Sequence, residues 1–143
     1  MELGGKCPAV VDIDVNMDHA TDKLCFAKFS NSGQTCIAPD YLFVHESRIK
    51  EFVTMLIVKI KNQFGESEEG SADMGKVIND FHVKRLTRLM ETSGGKIVHG
   101  GKIRTDIKYI EPTIIVEPNM ESELMTDEIF GPIMPIIPFK TMG

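Results

Sequence analysis

Cys36 lies in a stretch whose residue types suit nucleophilic chemistry, residues 31–37 (NSGQTCI). A thiolate is the nucleophilic form of cysteine, and backbone N–H groups in a turn can stabilise the oxyanion formed when a thiolate attacks a carbonyl. Gly33 ends a predicted helix and Tyr41 begins a predicted strand, so we expect Cys36 to lie in an accessible loop. Cys7 and Cys25 are interpreted as packing residues, which is how most free cysteines behave.

Two further segments contain candidate groups. Residues 2–6 (ELGGK) begin with Glu2, and residues 128–132 (EIFGP) contain Glu128 and Phe130. A carboxylate can take a proton from water or accept hydrogen bonds from hydroxyl groups. By residue type alone, however, Glu2 is an ordinary solvated charge, and Glu128 with Phe130 is an acidic turn followed by a core aromatic residue.

Taken in order, these three segments resemble the catalytic signatures of the aldehyde dehydrogenase superfamily. Residues 38–41 (APDY) are most like the class 3 (fatty aldehyde dehydrogenase) branch, and residues 74–79 (MGKVIN) and 111–114 (EPTI) also resemble family segments. Any one of these matches could arise by chance, but the ordered set is specific to the family.

The resemblance implies a role for each candidate residue. Cys36 would be the nucleophile and Glu2 the general base that activates the hydrolytic water. Glu128 would bind the nicotinamide ribose, and Phe130 would pack near the nicotinamide ring. The implied reaction oxidises an aldehyde to a carboxylic acid through a thiohemiacetal and a thioester, with NAD or NADP as cofactor. The resemblance also implies a homodimer in the full-length enzyme.

The chain contains no Gly-x-Gly-x-x-Gly pattern, which marks many dinucleotide-binding turns. In the resembled family the cofactor-binding domain precedes the ELGGK segment. We therefore expect residues 1–143 to be a catalytic domain, a fragment of a longer enzyme without its cofactor-binding domain. Alone, it should bind NAD weakly and turn over little aldehyde. Glu2, close to the chain end, should be poorly fixed relative to Cys36.

Composition excludes several other classes of protein. The 143 residues carry a formal net charge of −5, which argues against nucleic-acid binding. No apolar run approaches the roughly 20 residues that span a bilayer, and the amino terminus does not resemble a secretory signal. Three cysteines favour a reducing compartment, so we expect a cytoplasmic protein, with a membrane anchor in the full-length enzyme left open. The four histidines lack ligand spacing, so no metal site is expected.

The hydrophobic pattern predicts an α/β fold with a mainly parallel sheet flanked by helices. Apolar runs predict strands at residues 9–13, 41–45, 96–99 and 113–116. Helices are predicted from an Asn16 or Asp18 cap to Gly33, from Ser47 to Phe64, and from Met74 to Leu89. This alternation of strands and helices is typical of βαβ units. The prolines in residues 133–139 favour an edge or irregular strand, because proline cannot donate to a sheet ladder.

Two alternative functions stay open at this level. Cys36 and Glu2 could form a cofactor-free thiol esterase, although no histidine lies in a recognisable motif near Cys36. The chain could also be a non-catalytic fragment.

Overall fold

The computed structural model describes residues 4–65 and 71–142. This part of the chain contains four α-helices and seven strands. The helices are α1 Met17–Phe29, α2 Ile49–Phe64, α3 Asp80–Glu91 and α4 Glu123–Thr126. The strands are β1 Pro8–Val11, β2 Tyr41–His45, β3 Lys96–His99, β4 Ile103–Arg104, β5 Tyr109–Ile110, β6 Thr113–Val116 and β7 Ile133–Phe139.

Five of the strands form the main sheet, in the order β1-β2-β7-β6-β3. The pairs β1–β2, β2–β7 and β6–β7 are parallel, and only β3–β6 is antiparallel. Strands β4 and β5 form a separate antiparallel pair. The predicted α/β fold with a mainly parallel sheet is confirmed.

The predicted edge position of residues 133–139 is wrong, because β7 lies at the centre of the sheet. Strand β2 pairs with residues 136–139 and β6 with residues 133–136, so Pro135 lies outside the first ladder and Pro138 outside the second. The Ile136 carbonyl accepts from Glu117 on the β6 side, and backbone groups alternate sides along a strand. The Pro135 nitrogen therefore faces β2, which pairs with β7 only from residue 136 onward. The Pro138 nitrogen faces β6, which pairs with β7 only up to residue 136.

Helices cover the sheet from both faces. Side chains of α1 and α2, including Phe29, Phe52 and Leu56, share one core cluster with Met134 and Ile136 of β7. A second cluster joins α3 and α4 to the other face of the strands, through Leu86, Leu124, Ile129 and Ile133. Burial of each such side chain is worth about 1.5–3 kcal/mol, so these clusters are what fix the helices against the sheet.

The three predicted helix starts have different outcomes. The helix predicted from Ser47 begins at Ile49, directly after a short 3-10 turn at Glu46–Arg48. Asn16 caps α1, since its side chain accepts from the His19 N–H at 3.0 Å. The predicted start of the third helix at Met74 is wrong: Asn79 caps α3, and Met74 belongs to the preceding loop. Residues 74–79 contain buried apolar side chains that extend the helical pattern without being helical. Phe81, in the first turn of α3, is 71% exposed although it is apolar.

Within the described ranges, no helix combines the length and the apolarity that crossing a bilayer requires.

Candidate active site

Cys36 lies on an exposed turn between the end of α1 and the start of β2. The Ala38 N–H donates to the Thr35 carbonyl at 3.1 Å and closes this turn around the cysteine. The sulfur is therefore accessible, as the loop position predicted. Cys25 differs, because burial and the nearby Asp22 carboxylate raise the pKa of its thiol to about 11. Cys7 is half-buried and its Sγ donates to the Cys36 carbonyl at 3.4 Å.

The backbone just before Cys36 adopts an uncommon conformation. Asn31, Ser32 and Gly33 all have positive φ angles, of 52°, 58° and 70°. Left-handed backbone is costly for residues other than glycine and persists only where the surroundings hold it. A Cβ on Gly33 would lie 2.3 Å from the Gly131 carbonyl oxygen. Position 33 therefore needs glycine for both its φ angle and its close neighbour.

The Gln34 side chain ties this loop to residues 74–79. Its Nε2 donates to the Lys76 carbonyl at 3.0 Å, and its Oε1 accepts from the Ile78 N–H at 3.0 Å. A Cβ on Gly75 would lie 3.3 Å from the backbone of the loop at Asn31. The MGKVIN segment thus lies directly against the loop that precedes Cys36 and supports its conformation.

The EIFGP turn meets the same loop from the other side. Gly131 packs against Gly33, and a Cβ on Gly131 would also lie 2.3 Å from the Leu86 side chain. Phe130 has a φ of 48° and is 42% exposed. A left-handed conformation is rare for a bulky residue. The fold therefore brings the cysteine loop and the EIFGP turn into direct backbone contact.

The ELGGK segment is described from Gly4 onward, so Glu2 lies outside the described residues. Gly4 lies against the EIFGP turn, because a Cβ on it would be 2.5 Å from Glu128 Oε2. Lys6 Nζ donates to the Leu124 and Asp127 carbonyls at 3.2 and 2.8 Å. All three segments singled out from the sequence therefore converge, at least as far as their described residues show.

Glu128 and Phe130 line a cavity of about 650 Å³ together with basic side chains from α3. The rest of its lining is His82, Arg85, Arg88, Leu89, Glu123 and Asp127. Arg88 is paired with Glu123 at 2.7 Å. Burial lowers the pKa of Arg85 below its ordinary value, and the Asp40 carboxylate opposes that shift. Guanidinium groups suit phosphate oxygens, and a carboxylate suits ribose hydroxyls. Glu128 therefore fits the ribose of a nicotinamide dinucleotide and Arg85 its phosphates, while Glu123 and Asp127 add negative charge to the same lining.

A buried charge cluster lies behind the cysteine loop. Lys28 is 1% exposed and Asp40 is 5% exposed, and Lys6 forms an ion pair with Asp40. Burial lowers the pKa of Lys28 to about 8; Asp40 acts against this shift and Lys6 adds to it. The Coulomb effects of Asp40 and Lys6 on Lys28 show that the three charged groups interact.

Sequence reasoning missed Lys28, Asp40, His82 and Arg85. Lys28 is spaced i+7 from Thr21, with Cys25 between them, and Thr21 and Cys25 are both buried. His82 and Arg85 are three residues apart on α3, so helical spacing places them on one face. The helical spacing of Lys28 could have indicated a buried cation. Neither that spacing nor the spacing of His82 and Arg85 could have indicated what these side chains contact.

Within the described ranges, no group of three His, Cys, Asp or Glu side chains is arranged to hold a metal ion.

The profile of the aldehyde dehydrogenase family matches residues 1–143. The chain is 41% identical over 142 residues to 4,4'-diaponeurosporen-aldehyde dehydrogenase of Staphylococcus aureus. It is 42% identical over 142 residues to the dimeric NADP-preferring aldehyde dehydrogenase of Mus musculus. Each comparison covers 99% of this chain but 31% of the relative, so the chain spans less than a third of their length.

Solved structures give the same result. The substrate-bound AldH of Staphylococcus aureus superposes with a TM-score of 0.93 at 40% identity, covering 99% of this chain and 31% of that one. Succinate-semialdehyde dehydrogenase of Burkholderia pseudomallei has a TM-score of 0.87 at 28% identity, with coverages of 98% and 30%.

Proposed function

Because this chain belongs to the aldehyde dehydrogenase family, we propose that it supplies the catalytic part of an NAD(P)-dependent aldehyde dehydrogenase. The observation that carries the proposal is the contact between Gly33 and Gly131, which joins the loop bearing Cys36 to the turn bearing Glu128 and Phe130. An exposed thiol on a loop that contacts the turn lining a cofactor pocket is an arrangement suited to aldehyde oxidation.

Cys36 acts as the nucleophile in the proposed reaction. Its thiolate attacks the aldehyde carbon, and the new C–S bond gives a thiohemiacetal whose oxygen carries negative charge. Backbone N–H groups of the turn that holds Cys36 are suited to stabilise that oxyanion. The nicotinamide cofactor, when bound, supplies the oxidation by accepting the hydride. Cys36 is then left as a thioester, because sulfur serves both as nucleophile and as leaving group.

Glu2 takes the role of general base in the second half of the reaction, the hydrolysis of the thioester. Its carboxylate would accept a proton from water, and the resulting hydroxide would attack the thioester, release the carboxylic acid and regenerate Cys36. This assignment follows the family resemblance of residues 2–6. Gly4 supports it, since it brings the segment against the Glu128 carboxylate.

Glu128 and Phe130 form the cofactor side of the site. Glu128 would accept from the ribose hydroxyls, Phe130 would pack near the nicotinamide ring, and Arg85 with His82 would face the phosphates across the cavity. The names of relatives and the resemblance to the class 3 branch extend the proposal. We propose a fatty aldehyde as substrate, NAD or NADP as cofactor, and a cytoplasmic homodimer as the full-length form. In favour of the cofactor and the dimer, one relative is named dimeric and NADP-preferring.

Mass spectrometry of Cys36 tests the proposal. Because the chain alone should bind the cofactor weakly, incubation with a fatty aldehyde and a large excess of NADP⁺ should slowly leave an acyl group on Cys36. With Glu2 poorly fixed this group should persist, and omitting NADP⁺ should prevent it from forming. Cys36→Ser should abolish the adduct, whereas Cys7→Ser, the matched control, should retain it. Acylation without cofactor, or no dependence on Cys36, would refute the dehydrogenase proposal. Cofactor-free hydrolysis of an activated ester, in a chain that aldehyde and NADP⁺ together do not acylate, would favour the esterase alternative.

A further inference from the structure

Asp40 lies at the junction of the three segments that form the site. Its carboxylate is buried and follows Cys36 by four residues. One oxygen, Oδ1, accepts from the backbone N–H of Ile129 at 2.9 Å, and the other forms the ion pair with Lys6. Hydrogen bonds to an ionised carboxylate are roughly twice as strong as neutral ones. Asp40 therefore links the cysteine segment directly to both of the others.

These contacts hold the backbone on both sides of Glu128. On the amino-terminal side, Lys6 donates to the Asp127 carbonyl at 2.8 Å. On the carboxyl-terminal side, Asp40 accepts from the Ile129 N–H. The two peptide groups that flank Glu128 are thus bound to Lys6 and Asp40, and these two residues are bound to each other.

Ile129 is held a second time, at its carbonyl. Arg85 Nη2 donates to the Ile129 oxygen at 2.7 Å, which fixes the peptide group preceding Phe130. Phe130 then continues with its left-handed φ of 48°. A bulky residue keeps such a conformation only when its neighbours over-determine it. The bonds from Asp40 and Arg85 to the two ends of Ile129 supply that restraint.

We propose that Asp40 is a positioning residue that fixes Glu128 and Phe130 relative to Cys36. It does so directly through Ile129 and indirectly through Lys6. The inference rests on the proposed function in assigning Glu128 and Phe130 to the cofactor, while the restraint of the turn is independent of that assignment. Asp40 itself touches no reacting atom in this scheme.

Amide hydrogen exchange of the ¹⁵N-labelled chain tests the restraint. Asp40→Leu removes both contacts at similar volume, and the Ile129 amide should exchange about tenfold faster or more, with amides of α2 unchanged. Asp40→Asn keeps an oxygen that can accept from Ile129 and should restore protection to within about threefold. Asp12→Leu is the matched control, because its carboxylate accepts from the Ile13 N–H at 2.7 Å in an exposed turn. It should leave Ile129 unaffected.

NADP⁺ titration of the same samples tests the consequence. Changes in the amide chemical shift of Phe130 should give the Kd for NADP⁺, and Asp40→Leu should raise this Kd about fivefold or more. The rate at which Cys36 is alkylated should change by less than about twofold. Unchanged exchange at Ile129, or faster exchange with an unchanged Kd, would overturn the inference.

Two further outcomes are informative. If Asp40→Leu does not fold, Lys6→Met should raise the Kd for NADP⁺ with Ile129 still protected, and an unchanged Kd would again overturn the inference. No NADP⁺ shifts in the native chain would count against the proposed cofactor site, while faster Ile129 exchange in Asp40→Leu would still support the restraint by Asp40.

Discussion

Lys28→Met should change how the stability of the fold depends on pH. Lys28 is almost completely buried, and burial lowers its pKa from 10.5 to about 8. Methionine has a similar length and cannot be protonated, so this substitution removes the titrating group while filling much of the same space. Asp40 keeps its ion pair with Lys6. The variant therefore isolates the free energy of keeping a charge on Lys28.

The sign follows from the two pKa values. Between about pH 8 and pH 10.5 the unfolded chain holds a proton on Lys28 that the folded chain has lost. The free energy of unfolding therefore rises with pH across this window, and the penalty is fully present below it. A shift from 10.5 to about 8 is worth about 3 kcal/mol in total, and most of this is recovered between about pH 7 and pH 10.

Urea unfolding at several pH values measures this effect. The free energy of unfolding of the native chain should rise relative to that of Lys28→Met by about 2–3 kcal/mol between about pH 7 and pH 10. Cys25, whose pKa is raised to about 11, contributes stability that is lost as pH rises. It is present in both proteins and cancels in the difference. Lys23→Met is the matched control, because Lys23 is an exposed lysine on the same helix. Its free energy of unfolding should depend on pH in the same way as that of the native chain. Parallel curves for Lys28→Met would refute the reasoning.

Three further outcomes are expected. Iodoacetamide near neutral pH should alkylate Cys36 about tenfold faster than Cys25, whose pKa is about 11, as peptide mapping would show; equal rates would contradict this. Gly33→Ala should lower the free energy of unfolding by about 2–4 kcal/mol in urea, because its Cβ would lie 2.3 Å from the Gly131 oxygen at a φ of 70°. Asn79→Ala should cost about 1 kcal/mol through loss of the α3 cap, and a neutral effect would argue against that cap.

Local signals in the sequence predicted the parallel sheet and the exposed position of Cys36. Apolar runs such as Tyr41–His45 identify buried strands, and a glycine after a helix identifies the loop. The central position of β7 was not predictable, because the rule about proline concerns one strand. Pro135 and Pro138 are tolerated because the two neighbouring ladders are offset along β7, so that each proline lies beyond the end of one of them. Register between distant strands is a tertiary property that no local pattern encodes.

The same limit applies to the site. Cys36, Glu128 and Phe130 could be selected from their motifs, since each motif is contiguous in the sequence. Asp40 lies in the APDY segment, but its role could not be predicted. Its partners Lys6 and Ile129 are 34 and 89 positions away from it in the sequence. Its role depends on where three segments meet in the folded chain, and its residue type alone gives no sign of that.

Residues with positive φ angles occur on both sides of the contact between Gly33 and Gly131, which the proposed chemistry requires. Asn31 and Ser32 lie on the cysteine side, and Phe130 lies on the EIFGP side. Each such residue costs of order 1–3 kcal/mol unless its surroundings compensate. Gln34 supplies bonds on the first side, and Asp40 supplies one on the second. If these restraints were relaxed, both segments would move to ordinary conformations and the contact would open. The fold therefore contributes to the proposed reaction by holding the two segments together.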